Sequence, residues 1–382
     1  MIPSHDAVKD ALPALAAGFV LAALISLLIT PLVRRYARKL GMVDRPEARR
    51  VNKRVVARGG GIAIGLAFIT VSALLLFLNG VAGLHFVDDS PNFGGRKVLA
   101  LLGGAAIAVA IGFLDDKYQL RARWQFFGQF VLAGVAVGLG VTVSSHSVPL
   151  APEWLNPPGG PIPAGVAFIW IVGMVNSLNF IDGLDGLSSG IALIAAVTMG
   201  LISLGVGTGT VEPYVAIFCF VLAGALAGFL RWNFHPAKIF SGTSGILCVG
   251  YVLSVVSILG HGKIAVALLV LGVPIMDTFW ITIRRVANGR SPFAPDRGHI
   301  HHRLLDLGLS HRGTVLTIYA VCVVLSLLSL VLSGTGQMYA FLGLVVLFGL
   351  MLLLIERLGG SDSVEEGLDA ESYDTDSPAP TP

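Results

Sequence analysis

Charge is what this sequence has least of. Asp, Glu, Lys and Arg make up 13% of its 382 residues and hydrophobic residues 54%, against about 25% charged in an ordinary water-soluble domain. With a mean hydropathy of +0.80, the chain lacks the polar surface a soluble protein of this length needs. Cysteine is almost absent. Cys219, Cys248 and Cys322 stand singly in apolar runs, without disulfide or metal-ligand spacing, and read as small core residues. No internal repeat is visible, which counts against a transporter built from inverted repeats. No cleavable leader is expected, because the first apolar run is long and is followed by arginines. The formal net charge of +3 is small, and no nucleic-acid partner is expected.

Long apolar runs are what the sequence has instead. Several approach about 20 residues, the length that crosses a bilayer core. The expected fold is all-α: a polytopic transmembrane helical bundle of about eleven helices, since helices satisfy their own backbone polar groups in lipid. The runs fall near 13–33, 60–80, 98–114, 125–143, 162–177, 187–206, 213–230, 243–260, 263–284, 314–333 and 337–356.

Eleven spans put the termini on opposite sides. With the N-terminus outside, 22 of the 26 Lys and Arg residues fall in inner segments, and Lys9, Arg96, Lys97 and Lys263 fall outside. That bias places the C-terminus in the cytoplasm. Residues 1–358 read as one transmembrane domain, and 359–382, with seven acids and no base, as a disordered cytoplasmic tail.

In this orientation the unusual polar motifs share the cytoplasmic face. Asp115 and Asp116 end the third run in GFLDDKYQL. Adjacent carboxylates at a helix C-terminus oppose the helix dipole; they are either a water-exposed end or a pair awaiting a cation. SLNFIDGLDGLSSG, at 177–190, adds Asn179, Asp182 and Asp185. The two aspartates would share a face if the segment were helical, and Asp185 alone is a plausible N-cap of the next helix.

NFHPAKIFSGTSG, at 233–245, supplies Lys238 and a small, polar helix entry. Its free N–H groups suit an anion, although an ordinary glycine-rich entry reads the same way. The segment 288–312 carries His299, His301 and His302 between Arg297 and Arg303. Zinc is one reading, but histidines beside arginines suit phosphate oxygens better. Carboxylates facing basic groups point to Mg²⁺-assisted chemistry on a phosphorylated substrate at the membrane boundary.

These motifs resemble a known family. Asp115-Asp116, NFIDGLDG at 179–186, PAKIF at 236–240, PIMDT at 274–278, PFAPDRGHIHHRL at 292–304 and VDRPEARR at 43–50 are similar to the polyprenyl-phosphate N-acetylhexosamine-1-phosphate transferases. This is glycosyltransferase family 4, to which phospho-MurNAc-pentapeptide translocase also belongs. The HIHHRL form looks like the GlcNAc-1-phosphate branch.

The resemblance implies a plasma-membrane enzyme with a cytoplasmic active site. A polyprenyl phosphate attacks the β-phosphorus of a UDP-N-acetylhexosamine, UMP leaves, and a polyprenyl-diphospho-sugar remains for cell-envelope polysaccharide synthesis. Asp115, Asp116, Asp182, Asp185 and His301 would be catalytic. Asn179, Lys238, Arg297, His299, His302 and Arg303 would bind substrate. Asp115, Asp116 and Asp185 would hold Mg²⁺, or Mn²⁺ in its place, and Asp277 would shape a broken ninth helix. Membrane lipid and a homodimer partner are also within this expectation.

Three positions depart from the family pattern. Thr243 stands where the family has a metal-binding acid, Asn52 where it often has histidine, and Gln125 where it has lysine. The alternative expectation is therefore a catalytically impaired relative that binds lipid phosphate or nucleotide sugar.

Overall fold

The computed structural model describes residues 5–45, 54–81, 94–143, 160–206, 211–260, 263–287, 289, 299–332 and 334–358. Arg297, Asn52 and the acidic tail lie outside them. The described residues form thirteen helices and one two-stranded ribbon. In chain order these are α1 (His5–Lys39), β1 (Val43–Asp44), β2 (Val56–Ala57), α2 (Gly61–Val81), α3 (Gly95–Tyr118), α4 (Ala122–Gly138), α5 (Pro161–Ile181), α6 (Leu187–Ser203), α7 (Pro213–Asn233), α8 (Gly242–Leu259), α9 (Lys263–Val270), α10 (Gly272–Ala287), α11 (Ile300–Asp306), α12 (His311–Val331) and α13 (Gly334–Leu358). A second unit begins at Leu342 and is described as helix to Leu358.

Each of the eleven expected runs coincides with a helix. The ninth is broken: α9 and α10 meet at a 72° bend. The short α11 is an addition inside the histidine-rich segment. Among the described residues, seven helices are long and apolar enough to cross a bilayer, or eight if the bent pair counts as one. Length is one reason that α6 is not among them: its 17 residues reach about 26 Å at 1.5 Å per residue, short of a core about 30 Å thick. The protein is a multi-pass helical membrane protein.

Two helices organise the bundle. α8 packs against α3, α5 and α2, and α7 packs against α1, α6 and α2. α8 is the most enclosed of the long spans, and its start is built of small residues. Gly61 of α2 and Gly112 of α3 abut the backbone of Ser244 and Gly245, leaving no room for a side chain. That close approach brings the end of α3 against the first turn of α8.

The ribbon secures the loop after α1. Val43 pairs with Ala57 and Asp44 with Val56. The same strand is stitched to the approach to α8: Phe240 N–H donates to Ala57 O at 2.9 Å, Gly60 N–H to Phe240 O at 2.9 Å, and Gly61 N–H to Ser241 O at 2.8 Å. Arg58 is thereby held beside the end of α3.

At the ends of α7 and α9 away from these motifs, Lys263 is wholly buried and its Nζ donates to Glu212 Oε2 at 2.8 Å. Burial in a low-dielectric interior makes each charge dependent on the other.

Candidate active site

Four separated segments meet at the start of α8. Asp115 and Asp116, on the last turn of α3, are both buried. Asp115 Oδ1 accepts from Leu120 N–H at 2.9 Å and from Gln125 Nε2 at 3.0 Å, and its Oδ2 accepts from the Thr243 hydroxyl at 2.5 Å. Asp116 accepts from Thr243 N–H at 2.8 Å, Ser244 N–H at 3.1 Å and the Ser244 hydroxyl at 2.7 Å. Arg58 Nε lies 3.8 Å from Asp116. The N–H groups expected to await an anion at the start of α8 therefore already hold one, the protein's own Asp116. Gly242 permits this turn: its φ is +67°, and a Cβ there would strike the Asp116 carboxyl.

The DGLDG segment is a turn, not a helix, so Asp182 and Asp185 diverge. Asp182 accepts from the Ser188 hydroxyl and, at 2.8 Å, from the Ser241 hydroxyl. Burial pushes its carboxyl up to about 6; these hydroxyls and Arg58 oppose that rise, and the charge of Asp116 adds to it. Asp185 turns the other way. Its Oδ2 meets His235 Nδ1 at 2.8 Å and accepts from Ala237 N–H at 3.0 Å, while its own N–H donates to His311 Nε2 at 3.0 Å. The N-cap of α6 is Gly186, with φ +79° and no side-chain cap bond, so the capping role considered for Asp185 is replaced by these contacts.

The histidine-rich segment reaches the same place through α11. A Cβ on Gly183 would collide with His301 Nε2, so glycine there admits the imidazole. His301 is buried, with Nδ1 unpartnered among the described residues. Burial, reinforced by neighbouring histidines, lowers its pKa to about 3, and it is neutral near pH 7. His301 stacks on His299 at 5.5 Å, and its ring lies 4.4 Å from that of His302.

Asp277 holds the start of α11. It accepts from His299 Nδ1 at 2.7 Å and from Ile300 N–H at 2.9 Å. The bend between α9 and α10 falls at Leu271, six positions earlier in the chain, so Asp277 anchors the histidine segment rather than making the break.

Beside them lies one cavity of about 740 Å³, lined by Arg54, Arg58, Asp182, Asp185, His235, His302 and His311 among others, while Asp277, His299 and His301 stand outside the lining. A volume of this order admits a nucleotide-sized ligand. Asp115 and Asp116 sit behind its wall at Gly242.

Some expected site residues lie elsewhere. Asn179 is exposed and outside the lining. Lys238 is exposed and rests on Trp232, its Nζ 4.9 Å from the ring centroid. Asn176, one turn before Asn179, is committed to Gln129 of α4, its Nδ2 donating to Oε1 at 2.6 Å. Arg303 is half-buried on α11.

Sequence reasoning missed Arg58, His235 and His311. Asp185, His235 and His311 place one ligand atom each within 4.8 Å of one another. The two histidine rings stack at 4.1 Å and 24°, so one ion cannot lie in both ring planes as they stand. Both histidines were visible, one before Pro236 and one closing the histidine-rich segment, but neither has diagnostic spacing.

Comparison with known proteins agrees with the geometry. The family model described as Glycosyl transferase family 4 matches residues 98–261. The chain is 37% identical over 353 residues to the probable undecaprenyl-phosphate N-acetylglucosaminyl 1-phosphate transferase of Bacillus subtilis, covering 90% of this chain and 91% of the relative. It is 33% identical over 376 residues to the decaprenyl-phosphate N-acetylglucosaminephosphotransferase of Mycolicibacterium smegmatis, covering 90% and 89%. It is 31% identical over 333 residues to the undecaprenyl-phosphate alpha-N-acetylglucosaminyl 1-phosphate transferase of Thermotoga maritima, covering 87% and 94%.

Proposed function

The chain belongs to glycosyl transferase family 4, and from that premise we propose that it transfers N-acetylglucosamine 1-phosphate from UDP-GlcNAc to a polyprenyl phosphate, releasing UMP. The observation that carries the reading is the single cavity in which the DGLDG turn, the approach to α8 and the histidine segment meet. The basic bias of the inner segments supports placing this cavity on the cytoplasmic face of the plasma membrane. Residues 1–358 act as the transferase domain, and the tail plays no part in the chemistry. A homodimer is compatible with this reading and is not required by it.

The nucleophile in this reaction is a phosphate oxygen, already anionic near neutral pH. The obstacle is repulsion between it and the diphosphate. Arg54 and Arg58 line the cavity and bring fixed positive charge to it. His302 and His235, on opposite segments of the lining, offer imidazole nitrogens to phosphate or sugar oxygens. Asp185 orients His235 through the 2.8 Å contact. A phosphate oxygen forms the new P–O bond at the β-phosphorus, the bond to the α-phosphate bridging oxygen breaks, and UMP carries that oxygen away.

A hard divalent cation is part of this reading, and the carboxylates at the start of α8 are the oxygen donors the chain offers it. Asp115, Asp116 and Asp182 converge on residues 241–244, and the raised Asp182 carboxyl reflects burial and a neighbouring negative charge. Mg²⁺, or Mn²⁺ in its place, would be held by these oxygens and would neutralise diphosphate charge. Asp185, the third ligand first expected, sits apart from these acids with His235 and His311, one ligand atom from each within 4.8 Å of the others.

One observation favours a second reading, an impaired relative that binds without turning over. Gln125 and Thr243, both departures from the family pattern, each donate to Asp115. A carboxylate satisfied by neutral donors has less need of a metal. Purified protein in detergent, given UDP-GlcNAc, polyprenyl phosphate and Mg²⁺, separates the two. UMP release that requires all three supports the transferase. UDP-GlcNAc binding without release, across a panel of UDP-sugars, supports the impaired relative.

A further inference from the structure

We infer that Asp277 is a positioning residue that fixes the tautomer of His299, leaving the lone pair of His299 Nε2 beside the cavity of the proposed transferase, to which His299 is joined through the rings of His301 and of the cavity-lining His302. This rests on that functional reading for the identity of the substrate, but not for the dyad itself.

Both residues are buried, His299 at 7% and Asp277 at 3% exposure. The two Asp277 oxygens have separate tasks: Oδ1 accepts from Ile300 N–H, the first helical amide of α11, and Oδ2 accepts from His299 Nδ1. A carboxylate oxygen here accepts, so Nδ1 carries the proton, and in the neutral imidazole the lone pair is then on Nε2. Among the described residues Nε2 has no partner.

The ring cannot readily turn away. Phe180 stacks on it at 5.8 Å and 26°, and His301 at 5.5 Å and 12°. Phe180 lies two positions before Asp182, so the stack ties His299 to the segment that leads into the DGLDG turn. The titratable groups facing His299 are Asp277 from α10 and His301 from α11, with His302 beyond it. An acceptor fixed in this way suits a hydroxyl or amide N–H of a sugar, or a proton on a phosphate oxygen. Carboxylate–imidazole pairs orient functional histidines in this manner, and losing the carboxylate costs about 10–100-fold in metal sites built this way.

The decisive variant is Asp277→Asn. Its amide oxygen still accepts from Ile300 N–H, but its NH₂ now donates toward Nδ1 and so favours the opposite tautomer. The measurement is the histidine side-chain ¹⁵N spectrum of the full-length protein, with the His299 signals assigned by their loss in His299→Gln. Steady-state UMP formation is followed in parallel, and melting temperature checks folding. The expected result is an Nδ1–H tautomer in wild type, its reversal in Asp277→Asn, and a 10–100-fold loss of kcat/KM that adds little to the loss in His299→Gln. An unchanged tautomer in Asp277→Asn, or losses that multiply in the double variant, overturns the inference. If wild type forms no UMP, the transferase reading fails separately. The tautomer reversal, with the response of the His299 Nε2 signal to UDP-GlcNAc, then still decides the dyad.

Discussion

Thr243 donates its hydroxyl to Asp115 at 2.5 Å, across 128 positions of sequence. The same residue gives its backbone N–H to Asp116. A single threonine thus ties both carboxylates at the end of α3 to the first turn of α8, at the position where the family pattern has an acid. The bond compensates a buried carboxylate with a neutral donor where a cation would otherwise be needed.

Thr243→Asp tests that balance. The new carboxylate would face Asp115 with no donor between them. In EDTA the variant should melt below wild type, and millimolar Mg²⁺ should raise its melting temperature more than it raises that of wild type. A gain in UMP formation with Mg²⁺ would accompany this if metal limits the wild-type rate. Equal Mg²⁺ responses in the two proteins would show that these acids do not form a cation site.

Gly183→Ala tests the seat of His301. Its Cβ would strike His301 Nε2, so the imidazole or the DGLDG turn must shift. UMP formation is expected to fall by at least about tenfold, as misplacement near reacting groups commonly costs more than that. Expression and melting temperature should change little. Near-normal activity would mean that the His301 position is immaterial.

Acidity should act on two of the site's titratable groups, His301 and Asp182, with opposite signs. His301 is lowered to about 3 by burial, so the unfolded chain takes up its proton first. Its stabilising contribution is full above about pH 6.5 and is lost as pH falls toward 3. Asp182 is raised to about 6, chiefly by burial, so its contribution is full below about pH 4 and is lost as pH rises through 6. Between pH 4 and 6, His301→Gln should therefore flatten the acid loss of stability, and Asp182→Asn should steepen it. Thermal melts of the three proteins at several pH values give the comparison, and parallel pH profiles would refute both assignments.

Lys263→Met should damage stability without touching the site. It removes the Lys263 ammonium from the buried Glu212 carboxylate at the far end of α7, a helix of 21 residues. The cost expected for breaking such a pair is about 3–5 kcal/mol. Lys263→Met with Glu212→Leu should recover much of it. Unfolding midpoints in detergent report the loss, while UDP-GlcNAc affinity of the folded fraction should stay at the wild-type value. No recovery in the double variant would show that the pair is not the unit that matters.

The helical membrane architecture was legible in the sequence because it follows from local quantities. Apolar runs near the bilayer thickness must become helices, and each of the eleven runs did. The family motifs likewise named the segments that form the cavity. Pairing within the site was not legible. That Asp185 goes to His235 and His311 while Asp182 goes to Ser188 and Ser241, and that Arg58 stands at Asp116, depends on groups brought together by the packing of α3 and α5 on α8. Sequence spacing predicts neighbours within one helix, as it did for Asp182 and Asp185, and fails when the segment is a turn. A buried carboxylate is satisfied by whichever donors the packed backbone brings within about 3 Å, and only the tertiary fold determines which donors those are.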